Sequence, residues 1–218
     1  TVTGDVNGPT ATSITPAQSF SGRTCTVSVE GVTDAEAGTE GYESGVKTVK
    51  FAVWTAENGQ DDIQWLTGKN LGNGKWQITF DVADHNYDSG LYYIHVNGYD
   101  NAGNYRLMKT TTATATGDFK APVFVGMDVS SAAPEYAFEV FADVLDDNSG
   151  VSKVEFAVWS AKGGQDDLLW HAGTEISPGT WQTYVNYTSH KKDTGTYNVH
   201  VYATDNCGNR ALISSTQT

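Results

Sequence analysis

The segments Phe51-Ala-Val-Trp54, Gly59-Gln-Asp-Asp62 and Trp65 recur as Phe156-Ala-Val-Trp159, Gly164-Gln-Asp-Asp167 and Trp170, 105 residues further along the chain. The same ungapped spacing links Trp76 to Trp181, His85 to His190, Tyr92 to Tyr197, His95 to His200, Asp100 to Asp205 and Asn104 to Asn209. One module is therefore written twice, and the chain must do something that a repeated module can do. The repeat is longer than the ~20–50 residues of a solenoid unit and matches an independent domain with its own core. Upstream the offset grows to 111, where Cys25-Thr-Val-Ser-Val29 meets Tyr136-Ala-Phe-Glu-Val140, and to 113, where Thr3-Gly-Asp5 meets Thr116-Gly-Asp118. The extra residues of the first copy fall in the Gly- and Glu-containing stretch 35–43, which reads as a surface loop. Module boundaries are accordingly expected at 1–113 and 114–218. Thr218 corresponds to Ala113, so the chain ends in phase with its own repeat. That phase leads us to expect a monomeric piece of a longer multidomain protein.

Inside each copy the apolar pattern has period two. Val154, Phe156 and Val158 alternate with Lys153, Glu155, Ala157 and Trp159, while Tyr197, Val199, Val201 and Ala203 alternate with Asn198, His200, Tyr202 and Thr204. Turn signals punctuate the strands at Asp147-Asn-Ser-Gly150, Lys162-Gly-Gly164, Ser177-Pro-Gly179, Asp193-Thr-Gly195 and Asp205-Asn-Cys-Gly208. No segment holds a helical period. Tyr92 and Tyr197 each stand two residues after a Gly at the start of a strand, the position of a tyrosine corner, in which the ring is buried and the hydroxyl returns to the backbone. The expected fold is all-β, two tandem immunoglobulin-like β-sandwich modules.

Taken together, Phe-Ala-Val-Trp, Gly-Gln-Asp-Asp-(Ile/Leu)-x-Trp, Gly-x-Trp, His-x-x-x-(Ser/Thr)-Gly-x-Tyr-x-x-His-Val and Asp-Asn-x-Gly-Asn resemble the GBS Bsp-like repeat family in both copies. The resemblance implies extracellular modules, secreted or on the cell surface, appended to bacterial cell-wall hydrolases, glucan-acting enzymes and surface proteins. It carries over no ligand and no activity.

The formal charge of -13 is spread over both halves. Phosphate binding relies on clustered Lys and Arg, so nucleic acid and anionic membranes are not expected partners. No apolar run approaches the ~18 residues of a membrane span, and Thr1-Val-Thr-Gly lacks the charged and apolar parts of a signal peptide. Any export or anchoring signal is expected outside this segment. Cys25 and Cys207 occupy different places in the two copies, so no shared disulfide is expected; Cys25 reads as a small buried hydrophobe and Cys207 as a free turn thiol. No Gly-x-Ser-x-Gly elbow, phosphate loop or His-Glu-x-x-His motif occurs, so neither an enzyme nor a cofactor is expected.

The six Trp residues fall at three matched positions per module. If Val49, Phe51 and Val53 face inward, Trp54 faces out beside Tyr93, His95 and Tyr99, and Trp159 faces out beside His200 and Tyr202. The packing reading is that these rings belong to the core, where a sandwich commonly buries one Trp. The binding reading makes Trp54, Gln60, Asp61, Trp65 and His95, with Trp159, Gln165, Asp166, Trp170 and His200, an aromatic ledge edged by amide and carboxylate. A sugar would stack on such a ledge, and a host protein could also contact it. A spacer holding neighbouring domains apart is the third possibility.

Adjacent Asp61-Asp62 and Asp166-Asp167 point to opposite faces, which argues against a glycosidase pair and for a turn. Zinc is not expected, because three or four N/S ligands are not at hand. Asp143, Asp146, Asp147, Asn148 and Asp205 supply hard oxygen ligands near one end of the second module, a calcium candidate confined to that copy because Val32, Tyr42 and Glu43 replace Asp143, Asp147 and Asn148 in the first.

Overall fold

The computed structural model describes residues 4–15, 20–35, 43–132 and 136–218. The loop expected at 35–43 therefore lies largely outside the described residues. The chain forms two compact units, Thr1–Phe119 and Lys120–Thr218. The first extends past residue 113 because Ala113 and Ala115 are buried in its core and Phe119 packs against that core.

Unit 1 contains strands β1 (Ser13–Ile14), β2 (Thr24–Glu30), β3 (Val46–Thr55), β4 (Gln64–Thr67), β5 (Lys69–Gly72), β6 (Lys75–Asp81), β7 (Gly90–Asp100) and β8 (Tyr105–Ala115). They form two antiparallel sheets of order β1-β2-β6-β5 and β4-β3-β7-β8. Unit 2 contains β9 (Val123–Ala132), β10 (Ala137–Leu145), β11 (Val151–Ser160), β12 (Leu169–Ala172), β13 (Thr174–Ser177), β14 (Thr180–Asn186), β15 (Tyr197–Asp205) and β16 (Arg210–Gln217), in sheets β13-β14-β10-β9 and β12-β11-β15-β16. Among the described residues there is no α-helix. The chain is two tandem β-sandwiches.

The alternation read from the sequence is what closes each sandwich. Val27 and Val29 on β2 and Trp76, Ile78 and Phe80 on β6 meet Val49, Phe51 and Val53 on β3 and Tyr92, Ile94 and Val96 on β7 in one buried cluster. Unit 2 repeats it with Val140, Ala142, Val144, Trp181 and Val185 against Val154, Phe156, Val158, Tyr197, Val199 and Val201. Trp76 and Trp181 are thus the core tryptophans.

Two devices set the chain path. At Gly68 the backbone passes from the β4 sheet to the β5 sheet while its N–H bonds the Val49 carbonyl at 2.8 Å. A Cβ there would stand 2.9 Å from the Phe51 ring, so the close approach needs glycine, and Gly173 repeats this against Val154 and Phe156. The tyrosine corners also form: Tyr92 donates its hydroxyl to the Asp88 carbonyl at 2.7 Å, and Tyr197 to that of Asp193 at 2.6 Å. Removing only the buried hydroxyl, as in Tyr92→Phe, is expected to destabilise unit 1 by about 1 kcal/mol. Urea unfolding measures this, and an unchanged midpoint would mean that the corner bond does not hold the crossover.

Candidate functional site

The outward faces of β4-β3-β7-β8 and β12-β11-β15-β16 carry most of the residues singled out in the sequence. In register, Ala52 on β3 lies between Trp65 on β4 and His95 on β7, and Trp54 pairs with Tyr93. In unit 2, Ala157 lies between Trp170 and His200, and Trp159 pairs with Asn198. Period-two alternation places these side chains opposite the core set.

Exposure on this face differs from the expected ledge. Trp54 and Trp159 point outward as expected but are each only 8% exposed. The Trp54 ring stacks on Tyr93 at 5.6 Å between centroids and meets His95 edge-on at 4.7 Å, and Trp159 meets His200 at 4.7 Å. Lying on a middle strand, each indole is enclosed by its neighbours and forms a floor. The exposed indoles are Trp65 at 53% and Trp170 at 51%, on the edge strands β4 and β12. His95 and His200 are half-buried against the floor. Gln60, Asp61, Gln165 and Asp166 are exposed on the connections that lead into β4 and β12, away from the strands themselves, and Asp166 is ion-paired with Lys191 at 2.6 Å.

Around the exposed indoles the two faces differ. Trp170 lies 4.9 Å from Tyr202, and the Arg210 guanidinium sits 4.4 Å above Tyr202 and 5.4 Å from Trp170 while bonding Glu155 at 3.2 Å. Unit 1 has Asn97 and Lys50 where Tyr202 and Glu155 stand, and Lys50 lies 5.7 Å from the Tyr99 ring instead.

The second Asp of each Gln-Asp-Asp is structural. Both oxygens of buried Asp62 accept the Thr55 N–H, at 3.1 and 3.2 Å, and Oδ2 also lies 3.1 Å from His85 Nδ1. The carboxylate can only accept, so Nδ1 carries the proton. Asp167 holds the Ser160 N–H in the same way, whereas His190 Nδ1 lies nearest the Asp167 carbonyl, at 3.1 Å, with Oδ2 at 3.6 Å. Among the described residues His85 Nε2 has no hydrogen-bond partner; His190 Nε2 faces His171 Nε2 at 3.3 Å, where unit 1 has Leu66.

The acidic candidates redistribute as well. Asp143 spends Oδ1 on the Thr180 hydroxyl at 2.7 Å and Asp147 is exposed; neither belongs to the group in which Asp146 and Asp205 lie within 4.8 Å of each other. Unit 1, where the sequence offered no such candidate, also has an acidic cluster, with oxygens of Asp5, Asp34 and Asp100 all within 4.8 Å. Asp34 Oδ2 accepts from Gly45 N at 2.7 Å and Ser44 Oγ at 3.4 Å, as Asp146 Oδ1 accepts from Gly150 N at 2.7 Å and Ser149 Oγ at 3.3 Å. Burial, aided by the charges of Asp5 and Asp100, pushes the Asp34 carboxyl up, while hydrogen bonds from Ser44 pull that of Asp5 down. Column matching missed Asp34 because the loop insertion shifts the offset just there; the retained Ser44-Gly45 and Ser149-Gly150 pairs were the available signal.

The GBS Bsp-like repeat model matches residues 17–113 and again residues 130–218. The chain belongs to the GBS Bsp-like repeat family. Solved structures similar to these GBS Bsp-like modules are distant. A polysaccharide deacetylase from Bacillus cereus matches at 17% identity and TM-score 0.35, over 48% of this chain and 30% of that one. Chicken CNTN1 FN1–FN3 domains match at 13% and 0.37, over 97% of this chain and 65% of that one. The fibronectin(III)-like modules of Clostridium thermocellum CbhA match at 12% and 0.33, over 94% and 92%. No curated protein matches the chain. Among the described residues no helix is long and apolar enough to cross a membrane.

Burial of His171 beside His190 is expected to give the second GBS Bsp-like module an acid-sensitive group at a position where the first has Leu66. Burial first, and then the neighbouring His190, lowers the His171 pKa below 6.5. At high pH both folded and unfolded states are neutral there; below about 6.5 the unfolded state takes the proton more readily, so stability is lost as pH falls toward the lowered value. Comparing thermal unfolding at pH 7.5 and 5.5, His171→Leu is expected to shrink the acid-induced drop in Tm. An undiminished drop would assign the sensitivity to other groups.

Proposed function

We propose that the chain is a pair of extracellular, non-catalytic modules that bind a carbohydrate polymer, such as a cell-wall glycan, across the β4-β3-β7-β8 and β12-β11-β15-β16 faces, with Trp65 and Trp170 as the stacking surfaces. The observation that carries this reading is the matched exposure of the two indoles, 53% and 51%, on corresponding edge strands. An indole left half in water forgoes a large apolar burial, and a ring face beside polar side chains suits the alternating apolar faces and hydroxyl edges of a sugar. Half-buried His95 and His200 and the neighbouring Thr110 and Ser215, paired with them in register, line the same rows with hydrogen-bonding groups. The faces are sheet surfaces, which suits an extended polymer, and two linked copies raise apparent affinity without new contacts.

The extracellular placement draws on the family, and the non-catalytic reading on the family together with the division of the Asp pairs, whose inward members are committed to backbone N–H groups. A second reading, a spacer that positions neighbouring domains, draws support from the burial of Trp54 and Trp159, which takes those two indoles out of the ledge expected from the sequence.

Affinity electrophoresis through gels containing individual polysaccharides separates the two. The parent chain is expected to be retarded by at least one polymer, and Trp65→Ala/Trp170→Ala to weaken that binding tenfold or more with a stability change within about 0.5 kcal/mol, as for an exposed site. Trp54→Ala, by contrast, is expected to cost about 3 kcal/mol in urea unfolding, because it empties a covered position. Equal retardation of parent and double variant, or retardation by no polymer, would leave the spacer reading standing.

A further inference from the structure

We infer that Asp5, Asp34 and Asp100 form a binding site for a hard divalent cation, calcium by its ligand chemistry, that fastens three distant segments of unit 1. Asp5 precedes β1, Asp34 follows β2 and Asp100 ends β7. Their oxygens lie within 4.8 Å of one another. Oxygens each ~2.4 Å from one calcium ion can stand no more than about 4.8 Å apart, a condition that all three meet.

The observation that points to a ligand is the state of Asp34. The residue is only 8% exposed, and while its Oδ2 is satisfied by Gly45 N and Ser44 Oγ, its Oδ1 is buried and meets no hydrogen-bond donor among the described residues. A buried carboxylate oxygen is costly unless a donor or a cation meets it. Among the described residues no Lys or Arg is ion-paired with any of the three acids. The remaining neighbours hold the acids in place. Asp5 accepts from Ser44 N at 2.9 Å and from Asn7 N at 3.2 Å. Asp100 accepts from Asn104 N at 2.7 Å and Asn104 Nδ2 at 2.8 Å, and the same amide reaches the Asp5 carbonyl at 3.1 Å. An all-oxygen, carboxylate-rich set selects calcium over zinc or copper.

The second copy keeps the same elements. Asp146 takes Ser149 N and Gly150 N at 2.8 and 2.7 Å, Asp205 takes Asn209 N and Nδ2 at 2.8 and 2.7 Å, and the Thr-Gly-Asp of Asp5 recurs in sequence as Thr116-Gly-Asp118. The inference is independent of whether the sheet faces bind sugar.

The test is titration of the whole chain, first stripped with EGTA, with calcium chloride, read by isothermal calorimetry and by thermal unfolding. Saturable heat with Kd in the range of roughly 10⁻⁵ to 10⁻³ M and a rise in Tm are expected. Asp34→Asn is expected to weaken calcium binding at least tenfold or to lower the stoichiometry by one, and Asp5→Asn, at a half-exposed position, should do the same if the buried variant does not fold. The inference is overturned if calcium gives no heat and no Tm shift to 5 mM, about the weakest expected range. It is equally overturned if sodium chloride at matched ionic strength reproduces the shift, or if a folded variant binds calcium like the parent.

Discussion

Each sandwich depends on one buried carboxylate. Asp62 holds the last backbone N–H of β3 and the ring of His85, and His85 in turn packs edge-on against Phe80 and Tyr92 in the core. The chain between Thr55 and Asp62 is thereby closed into a loop with a fixed exit, and β4 begins two residues after that carboxylate. The position of Trp65 on the edge of the sheet follows from this anchor. The second copy keeps the carboxylate-to-backbone part of this arrangement through Asp167 and Ser160, while His190 Nδ1 bonds the Asp167 carbonyl and its ring packs edge-on against Tyr197. The second Asp of each Gln-Asp-Asp and the matched His, features that look like chemistry in the sequence, therefore hold the scaffold, while the first Asp is exposed.

Function then falls to what the scaffold displays. The shared display is one exposed indole per module on corresponding edge strands. The differences lie around it: Tyr202 and Arg210 flank Trp170, with Glu155 paired to Arg210, while unit 1 offers Asn97 and Lys50 where Tyr202 and Glu155 stand. The two copies thus share a platform and differ in its rim, so under the proposed reading each would favour a different decoration on its ligand.

The fold was legible because period-two alternation reports direction, and direction is what builds a sandwich: Val49, Phe51 and Val53 went in and Trp54 went out as the pattern dictates. Coverage was not legible. Whether an outward indole meets water depends on the strands beside it, and Trp54 has Tyr93 and His95 against it while Trp65 stands on an edge. The acidic cluster of unit 1 escaped for a different reason. It joins residues far apart in sequence, and the insertion between β2 and β3 breaks the column match at Asp34, so the equivalence with Asp146 emerges only from their shared Ser-Gly hydrogen bonds.

The central claim, that the repeated Asp and His are a buried structural pair, is tested most directly by a double-mutant cycle on the stability of unit 1. Urea unfolding at pH 7.5 would compare the parent with Asp62→Ala, His85→Leu and the double variant. Residues in one buried network are expected to couple, here by about 1–3 kcal/mol, with each single substitution destabilising. Additive effects, within about 0.5 kcal/mol, would show that Asp62 and His85 do not act together and would contradict the account.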